Sequence, residues 1–216
     1  MDNILQEIAK LIVNDERQII VGVSGQGASG KTSFTNRLIK LLADCEINYL
    51  NTDPHIIPSS NIRKYAVIHY DYKHKNHRYK MTACHPGAHN ISALEQDIRM
   101  IRDGLDIYTI GTNYMKSNLI SSQNRITIIE GMSVAFTDLS LFDIKVYLYT
   151  DGETELMRRT SRDVSERGTS IEFLKQSHEE RRIQYELFMH PYHRNFDIVI
   201  KNSNEGFSIE KNNLDL

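Results

Sequence analysis

Five apolar runs interrupt an otherwise polar chain of 216 residues, at 19–24, 47–52, 126–130, 144–149 and 197–201. Their length and their share of Ile, Val and Tyr are those of buried strands. Between them the apolar positions recur every three or four residues. That period predicts helices over 30–43, about 91–103, and along a charged stretch from about 153 to 190. Phe34, Leu38, Leu41 and Leu42 share one face of the first of these. Ahead of the first strand, Ile4, Leu5, Ile8, Leu11 and Ile12 form a stripe, so 1–17 is expected to dock as a helix on the rest. Asp2 and Glu7 lie among those apolar positions, which does not suit a secretory leader.

Strands alternating with helices predict one α/β domain over 1–216. Its core would be a doubly wound parallel sheet of about five strands with helices on both faces. Ligands of such sheets sit at the carboxyl ends of the strands. The passage 53–90 breaks the rhythm. It is long and polar, and it carries six of the nine histidines: His55, His69, His74, His77, His85 and His89. A stretch of that length inside a compact domain is usually functional.

Composition narrows the partners. A net charge of −2 carries no nucleic-acid signature. No run approaches the ~20 apolar residues of a membrane span. Two separated cysteines, Cys45 and Cys84, fit a reducing compartment, so the expected location is cytoplasmic.

Chemistry enters at residues 25–32, GQGASGKT, between the first strand and the first long helix. Gly25, Gly30, Lys31 and Thr32 match G-x-x-x-x-G-K-[ST] in the setting that motif requires. Glycines there let backbone N–H groups curl around phosphate oxygens, and the helix N-terminus adds a favourable dipole. The expected nucleotide cradle is Gly25, Gln26, Gly27, Ala28, Ser29, Gly30, Lys31, Thr32 and Ser33. Lys31 would reach the outer phosphates of ATP, and Thr32 would ligate Mg²⁺. A guanine-reading N-K-x-D stretch is absent from the sequence, which disfavours a GTPase; a plain ATPase stays open.

Three further places refine the expectation. Asp53 ends the second strand, where a carboxylate can take a proton from an acceptor hydroxyl; as part of Asp-Pro it also suits a turn. Glu130 ends the third strand and can serve Mg²⁺ directly or through water. Arg158, Arg159, Arg162 and Arg167 crowd residues 156–168, with Asp163 and Glu166 able to hold them. They read as a lid over about 153–170 that closes on transferring phosphate, or else as a solvated charged helix. His85 and His89 are expected to contact the acceptor or to pack beneath the lid. Their spacing, like that of His74 and His77, suits a zinc ligand pair, but no second cysteine or acidic set completes a site. Tyr147 and Tyr149 are expected in the core.

The stretches GVSGQGASGKT, LNTD, CHPGAH, IIEG, FDIKVYLYTDGETELMRRTSRDVSERG and HPYHRNFDIVIKN together resemble the uridine kinase and phosphoribulokinase group of P-loop kinases. That resemblance implies a kinase that moves phosphate from ATP to a primary hydroxyl, the ribose 5′-OH in uridine kinases. It puts Asp53 at the catalytic carboxylate, Glu130 at the Mg²⁺-associated acid, and Arg159, Arg162 and Arg167 in the lid. Homo-oligomers are common in the group. The acceptor side departs from the pattern. The family's sugar-holding Asp is Cys84 here, and its base-gripping Tyr and His are Thr112 and Ser117, with Tyr114 between them as the available aromatic. The expected acceptor is therefore a nucleoside (uridine or cytidine) or a similar small molecule. The alternatives are a phosphorylated sugar, for which Lys73, Lys75, Arg78 and Lys80 could supply charge, and a nucleotide-binding regulatory protein with slow ATPase activity.

Overall fold

The computed structural model describes residues 1–58, 62–167 and 170–214. In chain order the elements are α1 (Asp2–Asn14), β1 (Ile19–Gly25), α2 (Lys31–Leu41), β2 (Ile47–Asn51), α3 (Ile62–Tyr65), β3 (Val67–Tyr72), β4 (Lys75–Lys80) and α4 (Ile91–Arg102). There follow β5 (Ile107–Tyr108), β6 (Leu119–Ile120), β7 (Ile126–Glu130), β8 (Ile144–Tyr149), α5 (Gly152–Arg167), α6 (Ile171–Phe188), β9 (Ile198–Ser203) and β10 (Gly206–Asn212).

The main sheet has six strands in the order β10-β9-β8-β1-β7-β2. All five strands read from the sequence are in it and pair in parallel. The sixth, β10, returns antiparallel along β9. Its residues are mostly exposed, so it pairs through its backbone and leaves no apolar run to read.

Strand alternation splits the core into two layers. Val21, Val23, Ile128, Val146, Leu148, Ile198 and Ile200 face one side, where α1 lays down Ile4, Leu5, Ile8 and Ile12, and α2 adds Phe34 and Leu38 with Leu42 capping its end. Ile20, Leu50, Ile129, Tyr147 and Val199 face the other, against Leu94, Ile98 and Ile101 of α4 and the turn Met132–Phe136. The N-terminal helix thus docks as its stripe implied. Tyr147 is buried in the core, whereas Tyr149 is half-buried at its rim.

The charged stretch 153–190 is two helices, α5 and α6. The histidine-rich passage contains a β3–β4 hairpin whose tight turn puts Lys73 and His74 at positive φ. Polar contacts fasten this hairpin to α6. Tyr70 donates to Glu180 at 2.6 Å, His77 Nδ1 meets the same carboxylate at 2.8 Å, and Tyr72 donates to Glu186. Lys73, Lys75, Arg78 and Lys80 are exposed. Among the described residues, no helix is long and apolar enough to cross a membrane.

Candidate active site

The turn after β1 is shaped by two glycines that no other residue could replace without strain. Gly25 has φ 140°, and a Cβ on it would run into the Leu148 carbonyl of the adjacent strand. Gly30 enters α2 at φ 95°. Ala28 also takes a positive φ, of 64°, so the chain curls tightly around its own amides. Neighbours brace the curl: Asn202 Nδ2 donates to Ser29 O at 2.9 Å, and Arg158 Nη1 donates to Ala28 O at 3.3 Å. Arg158, read as a lid residue, is thus tied to the loop backbone. Ser29 Oγ is buried without a partner among the described residues.

Lys31 begins α2 and folds back, its Nζ donating to Gln26 O at 3.0 Å. Burial pulls its pKa down. Glu130 and Asp53 oppose that shift, and Arg162 and Arg181 add to it. A buried ammonium with so little local compensation is poised to gain from an arriving polyphosphate.

The strand ends supply oxygens. Register brings Val23, Asn51 and Glu130 level across β1, β2 and β7. Thr32 Oγ1 donates to Glu130 Oε2 at 3.1 Å, and Tyr49 OH donates to the same oxygen at 2.8 Å. Burial first, then the Glu130 charge, raises the Tyr49 pKa, so the phenol stays a donor. Asn51 Nδ2 reaches Tyr49 OH at 3.3 Å, while Asn51 Oδ1 accepts the Asp53 amide at 2.8 Å. Asp53 itself is exposed at the mouth. Gly131, at φ 150°, presses on Thr52; a Cβ there would overlap the Thr52 hydroxyl. A hydroxyl beside a carboxylate is a hard-oxygen donor set that suits Mg²⁺.

On the opposite wall α5 and α6 converge on Glu155, which is 1% exposed. Gln26 Nε2 donates to Glu155 Oε2 at 2.9 Å. Arg159 Nη1 is 3.9 Å, Arg181 Nε 3.5 Å and Arg182 Nη1 3.6 Å from the same carboxylate. Glu155, Arg181 and Arg182 were not among the residues read from the sequence. Only the i,i+4 spacing of Glu155 and Arg159 hinted at the cluster. Arg162 is half-buried and close enough for its charge to act on Lys31. The Arg167 side chain lies outside the described residues.

The expected acceptor residues separate. Cys84 is buried, and burial raises its thiol pKa. His89 is 6% exposed with both ring nitrogens occupied: Nε2 donates to Ala83 O at 2.8 Å, and Nδ1 accepts from Ser133 Oγ at 2.8 Å. It has no nitrogen left for an acceptor. Burial holds its pKa at about 4. His85 Nδ1 accepts the Gly87 amide at 3.1 Å, and its ring packs edge-on against Phe188. Tyr114 is 73% exposed on the β5–β6 loop, which closes on itself through Thr112 N to Met115 O and Ser117 Oγ to Thr109 O. Arg63, unread in the sequence, has its Nε buried without a partner among the described residues. Burial lowers its pKa, with the Arg181 charge adding to the effect.

A parallel sheet carrying a strand–glycine-loop–helix unit, a lysine and hydroxyl at the helix start and a strand-end acid define a P-loop phosphotransferase. The chain belongs to the Phosphoribulokinase / Uridine kinase family, whose sequence profile matches residues 20–206. It is 30% identical over 187 residues to uridine-cytidine kinase B of Dictyostelium discoideum, covering 82% of this chain and 69% of that one. It is 29% identical over 196 residues to a uridine kinase of Macrococcus caseolyticus, covering 84% and 86%. With the chloroplastic phosphoribulokinase of Arabidopsis thaliana it shares 26% over 204 residues, 88% of this chain but 51% of that protein. In fold it is similar to the phosphoribulokinase from Rhodobacter spheroides, with a TM-score of 0.59 at 15% identity, covering 87% and 71%.

Proposed function

We propose that this chain transfers the γ-phosphate of ATP to a hydroxyl of a small acceptor in the cytoplasm. The observation that carries the reading is the Thr32–Glu130 contact at the mouth of the loop, beside a buried Lys31 that feels both Glu130 and Asp53. In this reading Gly25–Ser33 cradle the phosphates, Lys31 neutralises the outer ones, and Thr32 and Glu130 hold Mg²⁺. Bound there, Mg²⁺ supplies charge to the phosphate oxygens. Asp53 accepts the acceptor's hydroxyl proton as that oxygen bonds to phosphorus and ADP leaves. Arg159 and Arg162 stabilise the charge that builds on the way. His85 borders the acceptor.

The relatives named uridine kinase support a nucleoside acceptor. A second reading is favoured by Arg63: a guanidinium edge buried without a partner among the described residues, with the Cys84 thiol near enough to act on its charge, suits a carboxylate or phosphate on the acceptor. We adopt that reading, an anionic hydroxyl compound over a neutral nucleoside. The test is ADP release from ATP and Mg²⁺ with panels of nucleosides, sugar phosphates and hydroxy acids. Stimulation by an anionic compound, lost in Arg63→Ala, supports it. Stimulation by uridine or cytidine alone returns the acceptor to a nucleoside. A nucleotide-bound protein that responds to none is a regulatory ATPase.

A further inference from the structure

Arg181 belongs to α6, outside the arginine-rich stretch 156–168, yet it reaches the phosphate loop. Its Nη2 comes so near Gly27 that a Cβ on that glycine would be 3.0 Å away. Its Nε is 3.5 Å from Glu155 Oε1. Glu155 in turn receives Gln26 Nε2, the residue before Gly27, on its other oxygen. Gln26 Nε2 and Arg182 Nη1 both donate to Thr150 O, at 3.1 and 2.9 Å. One buried carboxylate thus ties the loop, the start of α5 and the middle of α6 into a single unit.

The Gly27 approach and the Glu155 contact hold the guanidinium against the phosphate loop. Its charge acts on Lys31 on the phosphate side, and on Cys84 and Arg63 on the acceptor side. In the kinase reading, a cation lying against Gly27 is within reach of the outer phosphates that the loop would cradle. We propose that Arg181 contacts the outermost phosphate of the bound nucleotide, and that Glu155 is the positioning residue that aims it. The inference rests on the kinase reading above. An arginine in that place gives a cis-acting counterpart of the arginine fingers that other phosphoryl-transfer enzymes use. Gly27 must then stay free of a side chain so that the guanidinium can lie against the loop.

The test uses the whole chain with Mg²⁺ and two probes, ADP and the non-hydrolysable triphosphate AMP-PNP. Wild type is expected to bind both, the triphosphate more tightly. Arg181→Ala should weaken AMP-PNP by about 10-fold or more and leave ADP within about 2-fold, because only a charge-assisted contact to the third phosphate is lost. Arg181→Lys should recover part of the difference, and Glu155→Gln should behave like Arg181→Ala. Circular dichroism and the retained ADP affinity report that the variants are folded. Should Glu155→Gln not fold, the Arg181→Ala and Arg181→Lys pair decides alone. If Arg181→Ala keeps the wild-type preference for AMP-PNP, or loses both probes equally, the proposal is overturned while the kinase reading stands. If wild type binds neither probe, both fall.

Discussion

Tyr49 and Thr32 meet on one atom: each donates its hydroxyl to Glu130 Oε2, at 2.8 and 3.1 Å. The oxygen is therefore aimed by a residue from β2 and shared with the residue that follows the loop lysine. A carboxylate held by a phenol keeps its rotamer when a cation arrives, whereas one without it must be ordered first. Tyr49→Phe should raise the Mg²⁺ concentration needed for half-maximal nucleotide binding by about 10-fold. Glu130→Gln should raise it further. A Mg²⁺ titration unchanged in Tyr49→Phe would detach the phenol from the metal.

Lys31 makes stability and binding pull in opposite directions. Burial depresses its pKa, so folding without nucleotide keeps a poorly solvated cation inside. Lys31→Met removes that cost. The apo variant should melt at a higher temperature than wild type, yet its ATP affinity should fall by about 10-fold or more as the charge on the outer phosphates goes unmet. The pH dependence has a definite sign. With a folded pKa below the unfolded value, the unfolded chain holds the extra proton in the window between them. The stability of apo wild type should therefore rise with pH as it approaches about 10.5 from below. A variant with lower melting temperature and unaltered affinity would contradict both halves.

Asp53 is exposed and, among the described residues, is anchored through its backbone, its amide donating to Asn51 Oδ1 at 2.8 Å. Replacing the carboxylate need not disturb the turn. Asp53→Asn should leave AMP-PNP and Mg²⁺ affinity near wild type and lower kcat by about 10²–10⁴-fold, the usual worth of a positioned proton acceptor. Turnover equal to wild type would remove Asp53 from the reaction.

The parallel strands and the loop were legible because each rests on short-range signals. A buried strand is a run of Ile and Val, and GQGASGKT is fixed by eight adjacent residues. Glu130 stood out for the same reason, as the acid that ends the apolar run of β7, whereas Asp53, expected at the end of the second strand, falls two residues past β2 in a short turn. What escaped is set by tertiary contact. Glu155 and Arg181 are 26 positions apart on different helices and meet only once α5 and α6 are packed; alone, each looks like an ordinary surface charge. Tyr49 carries no signal of its own in the sequence; parallel register lays β2 beside β7 and its hydroxyl meets Glu130. The β3–β4 hairpin hid because its ties to α6 are polar, through Tyr70, Tyr72 and His77, not apolar. His89 shows the reverse case. Histidine in a polar passage left two expectations open, contact with the acceptor or packing beneath the lid, and His89 packs, bridging Ser133 and the Ala83 carbonyl inside the fold.

That burial gives His89 a measurable signature. Its ring is neutral in the folded state, with a pKa of about 4, against an ordinary value of 6.5. Between those values the unfolded chain binds a proton that the folded chain refuses, so stability falls as pH drops from about 6.5 towards 4. A shift of that size is worth up to about 3 kcal/mol over the full window, of which about 2 kcal/mol should be lost by pH 4.5. His89→Gln keeps a donor for Ala83 O and an acceptor for the Ser133 hydroxyl but does not titrate. Urea unfolding at pH 7 and pH 4.5 should show the variant losing about 2 kcal/mol less than wild type between the two conditions. Parallel losses in the two proteins would mean that His89 takes up its proton without unfolding the chain, and that the Ser133 bridge does not depend on a neutral ring.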